Sequence, residues 1–116
     1  PKRHDEIFGA VSHLPHVAAF ALVSMLAQRK NAPELLGFSG AGLRDTVRIA
    51  GSSPEMWRDI CVANREAMVE LVDSYMAELR KARGAIRKAD GDSLQRIFEQ
   101  ARAARERWLL KPQRKR

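Results

Sequence analysis

The sequence has a single cysteine, Cys61, among its 116 residues, so no disulfide can form within the chain. One cysteine fits a reducing cytoplasm, where disulfides are rare. Strand patterns are missing too: no stretch alternates apolar and polar residues with β-branched types, and no hairpin dipeptide separates two such stretches. These absences exclude a disulfide-stapled scaffold and favour an all-α fold.

Long apolar runs are scarce as well. Residues 1–6 carry too much charge for a signal peptide, and the apolar segment 7–20 is interrupted by His13, Pro15 and His16. No run approaches the roughly 20 apolar residues that a membrane-spanning helix needs. We therefore expect a cytoplasmic location and no membrane partner.

The formal net charge of +7 is unevenly distributed. Residues 1–79 contain 8 Lys/Arg and 10 Asp/Glu, a net of −2, whereas residues 80–116 contain 13 and 4, a net of +9. Only Phe98 and Trp108 are aromatic in the basic part, and both fit the apolar stripe of a helix, so the stacking platform of a single-strand binder is missing. We favour a solvated charged face and expect no nucleic-acid partner. A basic helical module that binds nucleic acid is the alternative from another functional class.

The first apolar segment predicts one long helix from Asp5 to about Gln28, because its apolar residues recur at intervals of three and four. Pro15 lies inside this helix. Proline lacks the N–H that would bond the carbonyl of Val11, and its ring crowds that carbonyl. The sequence therefore predicts a kink near residues 11–15.

The strongest helical pattern begins at Pro54, with Ser53 as N-cap, and is expected to reach about Ala89 with Gly84 as a weak point. At about 1.5 Å per residue, such a helix is about 50 Å long. A compact chain of this size has a radius of gyration near 13 Å by the usual scaling, so it cannot cover the whole stripe by itself. We infer a homodimer whose long helices pack across a two-fold axis.

The remaining segments complete a single domain, residues 1–110, followed by a basic tail, 111–116, that is expected to be disordered. The other predicted elements are a short helix at 34–36, a glycine-rich loop at 37–42, a short helix or turn at 43–50, a turn at 90–92 with Asp92 as N-cap, and a last helix at 93–110.

A polar strip on the first helix is one candidate site. Its members recur at helical spacing and are Asp5, Gly9, Ser12 and His16. His13 lies at the edge of the strip, and Gly9 leaves space between the polar side chains, which suggests a lined pocket. The alternative is a pair of ordinary histidines. We expect no metal, because His13 and His16 have no further ligand at a recognisable spacing.

The glycine-flanked segment 42–52 is a second candidate, because Arg44 and Arg48 lie there beside Asp45. Arginine presents a planar fork that matches a carboxylate or phosphate, and the aspartate could hold one arginine in place. The segment is not a Walker loop, since no Gly-Lys-Ser/Thr follows, nor a dinucleotide fingerprint, since no strand precedes it. It predicts an anion site, with a solvated surface ion pair as the alternative.

Five segments in this order resemble the C-terminal half of prephenate dehydrogenase, and the resemblance covers residues 4–108. The five segments are His4-Asp5; Ser12-His-Leu-Pro-His16 with the following 18–22; Gly42-x-x-Asp45-Thr-x-Arg48-Ile-Ala50; Ser53-Pro-x-Met-Trp57-x-Asp-Ile60 with Asn64-Arg65; and Phe98-x-x-Ala-x-x-x-Arg105-x-x-Trp108.

The resemblance implies an all-α, long-helix, intertwined dimerisation domain, like the C-terminal domain of 6-phosphogluconate dehydrogenase, that forms one wall of the substrate pocket. It implies an oxidoreductase of tyrosine biosynthesis that converts prephenate to 4-hydroxyphenylpyruvate by NAD(P)-dependent oxidative decarboxylation. An arogenate dehydrogenase is the alternative within the family. The choice between NAD and NADP also stays open.

The family binds its cofactor, and carries its catalytic histidine, in an N-terminal Rossmann domain. No strand–glycine-rich turn–helix unit occurs in these 116 residues. We therefore expect no catalytic residue and no cofactor in this chain, its own Rossmann domain as a partner, and no dehydrogenase activity from the chain alone.

The resemblance also implies roles for individual residues. Arg48 grips a substrate carboxylate, and His16 forms a hydrogen bond with the substrate. Trp57, which by itself indicates only core or interface packing, lies near the pocket of the neighbouring subunit. An ionic network that shapes or gates the entrance comprises Asp5, His13, Arg44 and Asp45.

Overall fold

The computed structural model describes residues 2–110, and 88% of these residues are helical, with no strand among them. The all-α prediction is confirmed. The helices are α1 (Lys2–Phe8), α2 (Leu14–Ala27), α3 (Ala32–Gly37), α4 (Ala41–Val47), α5 (Pro54–Ala63), α6 (Arg65–Arg87) and α7 (Gly91–Leu110), with a π-helical turn at Gly9–His13 and a 3-10 turn at Arg48–Gly51. The predicted disordered tail, 111–116, lies outside the described residues.

The chain divides into two compact units, one up to Asp73 and one from Ser74 onward, with the boundary inside α6. In the first unit α2 is the central element, since it contacts α3, α4 and the 3-10 turn, while the π-helical turn contacts α5. The second unit contains the end of α6 and all of α7.

The hydrogen-bond pattern of the first helix changes just before Pro15. Pro15 lacks an N–H, and the turn before it widens, so that Leu14 N–H donates to the carbonyl of Gly9, five residues earlier. The structure thus has a wide turn at 9–13, next to the proline, and the predicted kink near 11–15 stays a prediction. The chain stays helical through this turn, from Lys2 to Ala27.

This helical run is long and apolar enough to cross a membrane by length and composition. The expectation that no run reaches such a length is therefore wrong, because the helix continues through Pro15 and both flanking histidines. Only 6% of its most apolar 18-residue window is buried within the chain. One such helix is weak evidence for a membrane span, and its apolar surface needs a cover of some kind.

The predicted helix from Pro54 to about Ala89 is interrupted at Asn64, whose backbone leaves the helical conformation (φ −109°, ψ 37°). The hydrogen-bond ladder continues across this residue, with Asn64 N–H donating to Ile60 and its carbonyl accepting from Met68 N–H. The interruption was not predicted. The Asn64 side chain forms a hydrogen bond outside α5 and α6, with the backbone carbonyl of Asp5. Asparagine favours side-chain hydrogen bonds of this kind, which compete with a regular helix. By contrast, Gly84 does not end α6.

The helix N-termini agree with the sequence at one position and differ at another. Ser53 caps α5 as predicted, and its Oγ accepts a hydrogen bond from Met56 N–H at 3.2 Å. The predicted cap of the last helix, Asp92, is wrong. Asp90 fills that role, because its carboxylate accepts from the Ser93 N–H at 3.1 Å and from the Ser93 hydroxyl at 2.6 Å. These two bonds lower the pKa of Asp90.

Few apolar side chains are covered within the chain. The buried apolar residues of the described part are Ala19, Met68 and Ala85. Many large apolar residues stay exposed: Ile7, Val11, Met25, Leu36, Phe38, Met56, Val62 and Val69 in the first unit, and Tyr75, Met76, Leu79, Ile86, Phe98, Trp108, Leu109 and Leu110 in the second. Apolar surface on this scale is typical of an interface, as the predicted homodimer requires.

We expect the polypeptide that carries this chain to run as a dimer in size-exclusion chromatography with light scattering. Leu79→Glu should raise the dimer dissociation constant by at least about a hundredfold, since each leucine removed from an interface costs roughly 1.5–3 kcal/mol and the two-fold axis doubles the loss. Gln100→Glu adds the same charge at an exposed polar position of α7 and should leave the dimer intact. A Leu79→Glu dimer as tight as the parent would contradict the proposed interface.

Candidate functional site

The indole of Trp57 on α5 stacks on the imidazole of His16 on α2. The ring centroids lie 3.8 Å apart and the ring planes differ by 21°. His13, in the π-helical turn, meets the same indole edge-on at 5.8 Å and 69°. The wide turn and the start of α5 thus gather three predicted site residues around one aromatic contact, in arrangements that aromatic rings prefer.

This contact lies within one chain. The resemblance placed Trp57 near the pocket of the neighbouring subunit, and in the structure one face of its indole is stacked on His16 of the same chain. The indole N–H is buried and has no hydrogen-bond partner within residues 2–110. The role of Trp57 toward a second subunit stays a prediction.

The hydrogen bonds of His16 fix its tautomer. Its Nδ1 lies 2.8 Å from the carbonyl oxygen of Ser12, one turn earlier. A carbonyl oxygen only accepts, so Nδ1 must carry the hydrogen. In the neutral ring Nε2 then has the free lone pair. His16 can therefore accept a hydrogen bond from a ligand hydroxyl at Nε2, or donate one to a carboxylate when the ring is protonated.

Asn64, at the junction of α5 and α6, is the polar residue that joins His13 to the rest of the first unit. Its Nδ2 donates to the backbone carbonyl of Asp5 at 3.0 Å and lies 3.5 Å from Nδ1 of His13. Its pairing partners are 59 and 51 residues away in sequence. Asn64 belongs to one of the resemblance segments, but no role was predicted for it. The available signal was a polar residue inside an apolar helical stripe.

The space beside Gly9 is filled by packing. A Cβ atom at this position would come within 2.9 Å of Leu71 Cδ1 and 3.3 Å of Asn64 Nδ2. The predicted open gap in the polar strip is therefore wrong, because α6 and the α5–α6 junction close it. Gly9 is buried, and its lack of a side chain lets the wide turn approach α6.

The predicted anion site sits on α4 and the 3-10 turn that packs on α2. Arg44, Asp45 and Arg48 are all exposed, and none of them forms an ion pair within residues 2–110. The proposed stabilisation of one arginine by Asp45 is therefore not observed. The Arg48 guanidinium is available to an anion from outside the chain.

Asp5 belongs to a different surface. It lines a cleft of about 500 Å³ together with Lys2, Glu6, Glu66 and Glu70. Carboxylates dominate this cleft, so it favours a cationic neighbour. The network of Asp5, His13, Arg44 and Asp45 does not close within the described part of the chain, and its assembly stays a prediction.

A second cleft, of about 430 Å³, lies between α2 and α5 beside the stacked rings. Its lining is mostly apolar and consists of Val17, Phe20, Ala21, Ser24, Pro54, Trp57, Arg58 and Cys61. Burial raises the pKa of the Cys61 thiol, which keeps it neutral and argues against a nucleophilic role. The sequence did not indicate this cleft, because α2 and α5 are distant along the chain.

The described residues offer no metal centre, since no three His, Cys, Asp or Glu side chains among them are placed to share an ion. They also contain no strand from which a dinucleotide-binding turn could start. Residues 2–110 offer hydrogen bonding by His13 and His16 and anion binding by exposed arginines.

Comparison with known families identifies one match. The family profile described as "Prephenate dehydrogenase, dimerization domain" matches residues 1–100. The chain is 36% identical to the cyclohexadienyl dehydrogenase of Zymomonas mobilis over 106 residues, which are 90% of this chain and 36% of that protein. It is also 36% identical to the prephenate dehydrogenase of Bacillus subtilis over 107 residues, 91% of this chain and 29% of that protein.

Solved structures give the same result. The prephenate dehydrogenase of Aquifex aeolicus, solved with hydroxyphenyl propionate and NAD+, superposes with a TM-score of 0.84 at 36% identity, over 92% of this chain and 38% of that one. The arogenate dehydrogenase of Synechocystis superposes with a TM-score of 0.87 at 25% identity, over 93% and 40%. The chain spans about a third of the length of the relatives that it matches.

The tight packing at Gly9 predicts opposite responses at two helical glycines. Gly84 lies on the basic face of α6 with no neighbouring atom near its Cβ position, so Gly84→Ala should stabilise by about 0.5–1 kcal/mol through helix propensity. Gly9→Ala should lose that gain and destabilise, because Leu71 and Asn64 must move. Thermal unfolding midpoints of the two variants provide the measurement. Equal shifts would mean that the approach at Gly9 does not constrain the fold.

Proposed function

Because this chain belongs to the prephenate dehydrogenase family, in which it matches the dimerisation domain, we propose that it supplies the subunit interface and the substrate-carboxylate site of a prephenate dehydrogenase. The observation that carries this proposal is the cluster of His13, His16 and Trp57 in the matched domain. Its member His16 lies on α2, the helix that packs against the Arg48 turn.

The proposed reaction is the oxidative decarboxylation of prephenate to 4-hydroxyphenylpyruvate in tyrosine biosynthesis. A hydride leaves the ring carbon that bears the hydroxyl group, and the ring carboxylate leaves as carbon dioxide, so that the ring becomes aromatic. NAD or NADP accepts the hydride in the Rossmann domain that the full enzyme requires. The isolated chain is inactive in this proposal.

The residues of this chain bind and orient the substrate. Prephenate carries two carboxylates, and the Arg48 guanidinium, exposed and without an ion-pair partner in residues 2–110, can bind one of them through two parallel hydrogen bonds. His16 offers Nε2 to the substrate while the Ser12 carbonyl and the Trp57 face hold its ring in place. Catalytic proton transfer is assigned to the other domain.

The proposed partner is a second copy of the chain. In this proposal the exposed apolar residues of both units form the interface. Trp57 is proposed to lie close to the neighbouring subunit's pocket. The acidic cleft around Asp5 would receive a cationic group such as Arg44 from outside its own chain, which completes the gate with His13 and Asp45. The enzyme is proposed to be cytoplasmic, like a soluble bacterial dehydrogenase.

Arogenate is the second candidate substrate, since the Synechocystis relative is an arogenate dehydrogenase. The two acids differ in a side-chain keto or amino group, so the same carboxylate site serves both. Reduced-nicotinamide absorbance of the complete polypeptide, with each acid and with NAD or NADP, distinguishes the candidates. Absence of turnover with both acids would refute the proposed function.

In that assay Arg48→Ala should raise KM by about 10- to 150-fold, since a charge-assisted hydrogen bond contributes roughly 1.5–3 kcal/mol. Arg48→Lys should recover part of the loss, because it keeps the charge and loses the planar fork. Arg29→Ala removes an exposed arginine just after the end of α2 and serves as the matched control, with KM unchanged. An unchanged KM in Arg48→Ala would move the carboxylate contact elsewhere.

We expect the Trp57 ring to position His16 by stacking on its imidazole. Trp57→Phe keeps a stacking surface for His16, whereas Trp57→Leu removes it, so we expect kcat/KM to fall about tenfold in the leucine variant and less than threefold in the phenylalanine variant. Unfolding midpoints measured in parallel separate this effect from lost packing. Equal kcat/KM values for the two variants would show that the stack does not position His16.

A further inference from the structure

Among the described residues, Asn64 is the polar residue that is buried, with 9% of its surface exposed. Burying an amide costs free energy unless its groups are paired. The two pairings of Asn64 lead to the α1 backbone and to His13. Neither partner lies on α5 or α6, the two helices that Asn64 joins.

The contact with Asp5 fixes the orientation of the amide. The backbone carbonyl of Asp5 only accepts hydrogen bonds, so the atom 3.0 Å away must be Nδ2 and not Oδ1. The second hydrogen of the same nitrogen is then available to Nδ1 of His13, at 3.5 Å. A nitrogen that accepts a hydrogen bond cannot carry a hydrogen itself, so this contact, at the long limit of a hydrogen bond, favours the neutral His13 tautomer that is protonated at Nε2.

His13 and His16 therefore have opposite tautomers. His16 carries its hydrogen on Nδ1, toward Ser12, and offers a lone pair at Nε2. His13 accepts at Nδ1, from Asn64, and offers an N–H at Nε2. The two imidazoles that contact the Trp57 indole thus offer one hydrogen-bond acceptor, on His16, and one hydrogen-bond donor, on His13.

The fold enforces this arrangement. Gly9 brings the wide turn close enough for Asn64 Nδ2 to lie 3.3 Å from a Cβ position at residue 9. The non-helical backbone of Asn64 occurs at this contact. No other side-chain donor of the described residues bonds to His13.

We propose that Asn64 is a positioning residue of the substrate site: its amide ties the Asp5 backbone to the His13 imidazole and sets the tautomer that offers Nε2–H to an anionic substrate. This inference rests on the proposed function for its kinetic consequence. The tautomer itself follows from the contacts of this chain alone.

The tautomer is measured by nitrogen-15 NMR of the complete polypeptide with labelled histidine, assigned with a His13→Gln variant. The parent should show His13 protonated at Nε2. Asn64→Asp, which has the same size, accepts a hydrogen bond from Nδ1–H and should reverse the tautomer. Asn31→Asp makes the same change at the exposed asparagine before α3 and should alter nothing. A parent ring protonated at Nδ1, or an unaltered ring in Asn64→Asp, would overturn the proposal.

The kinetic test uses prephenate and the same polypeptides. Asn64→Leu should lower kcat/KM by about tenfold, mainly through KM, the change expected when one buried hydrogen bond is lost. Asn64→Gln keeps the donor and should recover activity in proportion to the restored tautomer. A purely structural role would instead lower the unfolding midpoint of every variant without moving the His13 signals, and that result would refute positioning.

Failure of the two proposals can be told apart. If the parent polypeptide turns over neither prephenate nor arogenate, the proposed function fails, while the nitrogen-15 signals still decide whether Asn64 sets the tautomer. If the parent is active and Asn64→Asp reverses the tautomer without changing kcat/KM, the proposed function stands and the positioning role is refuted.

Discussion

The amide of Asn64 is the contact on which the geometry of this site depends. It joins the α1 backbone at Asp5, the imidazole of His13 and the junction of two helices, and it does so across 59 residues of sequence. Glycine at position 9 suits this contact, because a Cβ atom there would lie 2.9 Å from Leu71 Cδ1 and 3.3 Å from Asn64 Nδ2, so both side chains would have to shift. A buried polar group with two partners specifies one arrangement, since misplacing it leaves its hydrogen bonds unmade.

Around this contact the chain buries little apolar surface. The described residues bury only three apolar side chains, none of them from a large aromatic residue, while sixteen large apolar residues remain exposed. A domain of this size normally derives its stability from a core. The chain matches a dimerisation domain, and a second subunit would cover this surface, so we expect folding and assembly of this chain to be linked.

The charged residues of this site agree with one that groups outside the described residues complete. Arg48 and Arg44 are exposed and have no acidic partner in the described residues, whereas Asp5 lies in a cleft rich in carboxylates. Unpaired arginines are suited to an incoming carboxylate, and an acidic cleft is suited to a cation. The stacked rings of His16 and Trp57, by contrast, are already assembled within one chain.

The sequence by itself determined the local features: the all-α class, a departure from regular helix beside Pro15 and the cap at Ser53. Each depends on residues within one helical turn, so spacing and residue type predict it. The resemblance of ordered motifs supplied the family, which the comparison confirmed. The interruption at Asn64 and the filled space at Gly9 were decided by tertiary structure, because they arise from contacts between residues more than fifty positions apart, which no local pattern records.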